Sequence, residues 1–253
     1  KELGIYDYTH KDCEDFRNSI IDFVVPVRKE MNEERKQKLG VDNLRSWDML
    51  VDVDLKKPLK PYNEISELTT GVEKIFRDIK PLFGDNFKFL NDNGFFDLDS
   101  RKGKAPGGYM MPLKETGAAF IFVNGAQQHS DVNVLLHEGG HAMHFLQSKN
   151  IKLKEAQMGP AEIAEVASMS MELLGMEGLH HFYSGDDLVR AKKEHLERAL
   201  MLFIPIAKND EFQHYIYTNP NLSIDDICDY YLELESKYDV GINRIGFEKY
   251  TRT

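Results

Sequence analysis

The spacing of apolar side chains divides the chain into a helical beginning, a short stretch of β-type alternation and a long helical remainder. Phe16, Ile20, Phe23 and Val27 recur at three and four residues and predict a helix over 12–39, with Asp12 as its cap, a kink at Pro26 and a stop at Gly40. Prolines near residue 60 punctuate a linker, the best candidate for a sub-boundary within 1–253, which otherwise reads as one domain. A helical period returns over 63–82 and ends at Phe83-Gly84, and a shorter helix is expected over 85–91. From Phe95 to Lys104 helical character is lost. Two β-type runs follow, Gly107 to Leu113 and Ala118 to Val123, joined by Lys114-Glu115-Thr116-Gly117, which predicts a hairpin. Beyond Glu172 the pattern is helical over 186–203, where Pro205 ends or kinks it, over 210–217, and over 223–238 behind a Ser223 and Asp226 cap. The fold expected is mainly α, with a small β-hairpin or sheet ahead of a helix that begins near Ser130.

Composition narrows the classes. A chain of 253 residues with 42% apolar content buries a sizeable core. A formal charge of −10 repels polyanions, so neither a nucleic acid nor an anionic membrane surface is expected as a partner. No apolar run approaches the roughly 18 residues of a membrane span, and Lys1-Glu2-Leu3 does not open a signal sequence. Cys13 and Cys228 fit no metal-binding or redox spacing and read as isolated thiols, which points to a reducing, cytoplasmic compartment. Oligomeric state leaves no trace in the pattern.

The chemistry concentrates in His137-Glu138-Gly139-Gly140-His141. On a helix, residues four apart share a face, so His137 and His141 can aim ring nitrogens at a single metal ion. Glu138 lies beside that face, placed to act as a general base on a water held by the metal. Ser130 and Asp131 offer a cap, and Val132, Leu135, Leu136, Met143 and Leu146 repeat at helical spacing. Gly139 and Gly140 each cost up to about 1 kcal/mol inside a helix, which marks them as places where another backbone crosses closely.

Catalytic zinc takes three protein ligands and keeps a position open. Gly159-Pro160 opens a second helical pattern bearing Glu162, Glu165 and Glu172 close to one face. Glu165 is the preferred third ligand, and Glu172 is placed to orient a ligand histidine. His144 follows His141 by three residues and reads as a packed neighbour, since a fourth protein ligand would close the site. His129, His180, His181, His195 and His214 lack ligand spacing and read as surface or core residues.

The run His137 to His144, followed by Glu165-Val166-Ala167-Ser168 and then Glu172, resembles the active-site signature of the oligoendopeptidase F branch of the thimet oligopeptidase-like zinc peptidases. Ser46-Trp47-Asp48, Gly107-Gly108-Tyr109 and the segment Ala119 to Asn124 extend the resemblance upstream, to about 40–175. It implies a helical zincin-type metallopeptidase domain with one Zn2+ on His137, His141 and Glu165, Glu138 as base, and short unstructured peptides as substrates. It also implies a His- and Tyr-rich segment donating to the oxyanion, expected beyond Thr253, so that the chain reads as a fragment of the catalytic domain. Zinc peptidases commonly hold an extended peptide against a strand edge, and Ala119, Phe120, Ile121, Phe122 and Val123 are expected to supply it. The same run would also suit a buried core strand.

Two other readings use the same residues. The chain could be a zinc- and peptide-binding module with little turnover, for want of the oxyanion donors. Alternatively, Glu138-x-x-His141, Glu177-x-x-His180 and Glu211-x-x-His214 fit the repeated unit of a helical di-iron carboxylate protein, which gives His137 no role.

Overall fold

The computed structural model describes residues 7–153, 156–157 and 159–246. Lys1-Glu2-Leu3 and Thr253, on which the two terminal expectations rest, lie outside them. The chain forms two compact units, one of Pro58–His195 and one of the flanks Lys1–Lys57 and Leu196–Thr253. Among the described residues no helix is long and apolar enough to cross a membrane.

In the unit of the flanks, helix α1 (His10–Ser19) passes through a π-helical turn (Ile20–Val24) into α2 (Val25–Leu39). This is the single helix that the periodicity predicts, with the wider turn placed just ahead of Pro26, whose missing N–H cannot serve an α-helical ladder. Its cap is Thr9 rather than Asp12: Thr9 Oγ1 accepts from the Asp12 N–H, and the Asp12 carboxylate accepts from the Thr9 N–H at 2.7 Å. Gly40 closes α2 at φ 66°, the left-handed conformation that favours glycine. Ile20, Val25, Ile204, Ala207, Leu234 and Tyr238 form the core of this unit.

In the central unit, α3 spans Ile65–Ile79 and α4 spans Pro81–Asp92. The break falls at Lys80, earlier than the expected end at Phe83-Gly84, because Pro81 forces the preceding residue into extended backbone and then starts α4 itself. Strand β1 (Phe96–Asp99) follows where only a loss of helix was expected, then β2 (Tyr109–Leu113) and β3 (Ala118–Gly125). The order is β1-β3-β2, with β1 parallel to β3 and β2 antiparallel to it in the predicted hairpin. Lys104 joins β1 to β3: its buried ammonium donates to the carbonyls of Asp97, Asp99 and Val123 at 3.0, 2.8 and 2.6 Å. Arg101 and Lys104 together hold the Asp97 carboxyl well below the usual carboxylate range.

Helix α5 (His129–Ser148) and α6 (Ala161–Gly175) come next, then a tight 3-10 segment (Met176–His181) and α7 (Gly185–Thr218). α7 continues through Pro205, where the sequence predicted an end or a kink and a separate later helix. Ile204 and Ala207 on either side of the proline are buried in core, which offsets a penalty of about 3 kcal/mol. The last helix, α8 (Ile224–Lys237), carries the Ser223 and Asp226 cap that its sequence predicts.

Candidate metal centre

Helix α5 starts at His129, ahead of the expected Ser130, because Asp131 reaches back over its first turn. The Asp131 carboxylate accepts the N–H groups of Ala126 and Gln128 at 2.8 and 2.9 Å and the Tyr62 hydroxyl at 2.6 Å. Three donors and the positive helix end hold this charge in a buried place. Val132, Leu135, Leu136, Met143 and Leu146 then sink the helix into the core, which leaves little freedom to the ring-bearing face.

The glycines set the distance to α6. A Cβ on Gly140 would lie 2.7 Å from the Cα of Ser168, so here another backbone does cross. A Cβ on Gly139 would instead meet the ring of Phe76 at 2.5 Å, an aromatic side chain and not a backbone. Close approach at Gly140 brings Glu165 over the α5 histidines.

His137, His141 and Glu165 have donor atoms within 4.8 Å of one another. The Nε2 atoms of His137 and His141 lie 3.3 and 3.6 Å from the two oxygens of Glu165. Donors around a tetrahedral zinc with bonds of roughly 2 Å are about 3.3 Å apart, so the set fits the ion in type and spacing. The far nitrogen of His137 is bonded to Glu172 at 2.7 Å, which frees Nε2 to face Glu165. Ser168 Oγ, in turn, donates to the Glu165 carboxylate at 3.1 Å and to its backbone carbonyl at 3.0 Å. His144 is outside the donor group, and its buried Nδ1 has no hydrogen-bond partner among the described residues.

Glu138 is buried beside this group, and burial raises its pKa although His137 pulls the other way. Burial alone would lower His137, but the Glu172 hydrogen bond and the charges of Glu172, Glu138 and Glu165 outweigh it, leaving the pKa raised. For His141 burial prevails, helped by His137 and His144, and its pKa is lowered.

Two neighbours of Glu138 come from β2 and the loop before it. The Met110 backbone N–H lies where it favours the charged form of the Glu138 carboxylate, against the burial that disfavours it. Gly108 keeps space there, since its Cβ would lie 3.6 Å from Glu138 Oε1 and 3.0 Å from Val134.

The expected peptide-binding strand needs correction. Ala119, Phe120, Ile121, Phe122 and Val123 belong to the central strand, whose edges are taken by β1 on one side and β2 on the other. With both edges paired, β3 cannot accept a further strand. Among the described residues the free edge beside Glu138 is that of β2. The signal was Pro112, since a proline within a strand belongs at an edge, whereas the unbroken apolar run of β3 belongs inside a sheet. Ser168 carried no such signal, because only the helix crossing gives its hydroxyl a role.

The di-iron reading also needs correction. His141, His180 and His214 fall in three different donor groups. Glu177 pairs with Lys192 at 3.0 Å, and Glu211 with Lys237 at 2.6 Å.

Residues 4–246 match peptidase family M3, and the chain belongs to that family. It is 26% identical over 159 residues to an oligoendopeptidase F homolog of Lactococcus lactis subsp. lactis (strain IL1403), covering 61% of this chain and 25% of that protein. Among solved structures, PZ peptidase A with an inhibitor matches at TM-score 0.92 and 28% identity, over 99% of this chain and 44% of that one. An oligoendopeptidase F from Bacillus anthracis str. Ames matches at TM-score 0.86 and 28% identity, over 92% and 42%. The chain thus spans a quarter of the length of this curated relative and under half of these structures. The mainly helical fold with its small sheet is shared with them.

Proposed function

We propose that this chain carries the zinc-binding part of a metallopeptidase that hydrolyses short unstructured peptides. The observation that supports it most is the convergence of His137 Nε2, His141 Nε2 and Glu165 beside a buried Glu138. Two imidazoles and one carboxylate would hold zinc with Glu172 orienting His137, and a bound zinc would supply Lewis-acid polarisation of the scissile carbonyl and a more acidic water.

The chain's own groups do the rest. Glu138 takes a proton from the attacking water at a carboxylate oxygen and passes it to the departing amine. Its buried setting raises its proton affinity toward the level that both transfers need. The free edge of β2, Tyr109–Leu113, takes the peptide as an added strand, so main-chain hydrogen bonds hold substrates of varied side chain beside Glu138. The names of the relatives agree with peptide hydrolysis.

A second reading rests on the share of the structural relatives that the chain spans, 44% for PZ peptidase A. In it the chain binds zinc and peptide with little turnover of its own.

Glu138→Gln separates the two. In a peptidase the variant keeps stoichiometric zinc and loses roughly 100- to 10,000-fold in kcat, whereas in a binding portion wild type and variant bind peptide alike and neither turns it over. Glu165→Ala should release the metal. Stoichiometric zinc in Glu165→Ala, or full activity in Glu138→Gln, would reject the assignment.

A further inference from the structure

A second mixed donor cluster lies away from this centre, in the unit of the flanks. Cys13, Asp210 and His214 also have donor atoms within 4.8 Å of one another, and each side chain is half-buried. Asp210 and His214 stand on successive turns of α7, with Asp210 Oδ1 3.7 Å from His214 Nε2. That separation is close to the 3.3 and 3.6 Å between ring and carboxylate around Glu165. From α1, His10 stands one turn before Cys13, and its ring meets the His214 ring edge-on, centroids 4.3 Å apart. The two helices therefore converge, with one sulfur, one oxygen and one imidazole in the donor group and the His10 ring packed beside it.

The other oxygen of Asp210 is bonded to the buried guanidinium of Arg17. This leaves Oδ1 turned toward His214 and fixes the carboxylate, as partners of ligating carboxylates do. Thiolate, carboxylate and neutral imidazole together carry two negative charges, of which Arg17 balances one, so a divalent ion is not over-compensated. The remaining cluster, Asp78, His180 and His181, is more exposed, and its rings already bond Asp78 and the Glu177 carbonyl.

We propose that Cys13, Asp210 and His214 form a site for a zinc-type ion that clips α1 to α7. A soft thiolate with imidazole selects zinc or cobalt over magnesium and calcium. α1 has reason to need a clip. Its one buried side chain is that of Arg17, and Phe16 stays exposed, so little apolar packing holds it.

Cobalt(II) titration of the metal-stripped chain, followed by absorbance, tests this independently of the first centre. We expect a thiolate-to-cobalt charge-transfer band in the near ultraviolet, a feature that His137, His141 and Glu165 cannot produce. Cys13→Ser and His214→Ala should abolish it, while Cys228→Ser and Glu165→Ala should retain it. Absence of the band in the wild-type chain, or its survival in Cys13→Ser, would overturn the proposal. Should Cys13→Ser fail to fold, alkylation of the wild-type chain decides: zinc is expected to protect Cys13 from iodoacetamide, and equal labelling with and without zinc counts against the site.

Discussion

The two helices that hold the candidate centre are anchored very differently. α5 is enclosed by core: Val132, Leu135, Leu136, Ala142, Met143 and Phe145 are at most 1% exposed. α6 buries only Ser168 and Gly175, and leaves Ile163, Val166 and Leu174 more than half exposed. The imidazoles are thus fixed by burial, and Glu165 is fixed by where α6 touches α5. The tightest of those touching points are Gly140 against the Ser168 backbone and Gly175 against Leu136. Position of the carboxylate ligand should therefore depend on residues with no metal-binding atoms of their own.

Gly140→Ala should show this most strongly. Its new Cβ would stand 2.7 Å from Ser168 Cα, a backbone atom that can yield only by moving α6 as a body. Overpacking of this kind costs about 1–3 kcal/mol, and the displaced Glu165 should lower zinc affinity alongside thermal stability. Gly139→Ala is the matched control. It presses on the far end of the Phe76 ring, which belongs to α3, so stability should fall while zinc affinity stays near wild type. Equal affinity losses from both variants would mean that the Gly140 crossing does not position Glu165.

Glu172→Gln comes next, because Glu172 acts from α6 on a histidine of α5. The Glu172 carboxylate bonds His137 at 2.7 Å and is the main influence that raises the His137 pKa against burial. Removing its charge makes the ring a poorer donor, and partners of this kind are typically worth 10- to 100-fold in metal affinity. Calorimetric titration with zinc should show a loss in that range, with melting temperature of the metal-free chain changed little. An unchanged affinity would assign Glu172 to packing alone.

What could be read from sequence divides along the same line. His137, Glu138 and His141 declare themselves because the helical turn is local, and Glu165 and Glu172 follow once a second helix is recognised. The capping of α8 and the hairpin of β2 and β3 are local too. What escaped depends on contacts between distant segments. β1 alternates as Phe96-Asp97-Leu98-Asp99, but its pairing with β3 relies on Lys104 at the centre of three carbonyls, and a lone lysine in a loop gives no such hint. The assignment of the peptide-binding edge to β3 took no account of Pro112, the better guide to which strand keeps a free side, although the apolar run of β3 already suited a core strand. Cys13 looked isolated because Asp210 and His214 lie near the other end of the chain.

Ser168→Ala should give the smallest effect and is the sharpest probe of how Glu165 is held. The hydroxyl is fully buried with its residue and donates to the Glu165 carbonyl and carboxylate. Alanine removes the donor without adding volume, so Gly140 keeps its close approach and α6 keeps its place. The loss is then that of an ordinary hydrogen bond, about 0.5–1.5 kcal/mol. If the hydroxyl serves the carboxylate, most of that loss should appear in zinc binding, as a few-fold weaker Kd. If it serves only the helix backbone, the loss should appear in unfolding of the metal-free chain, with Kd unchanged. Measuring both quantities on the one variant therefore tells whether α6 merely carries Glu165 or also aims it.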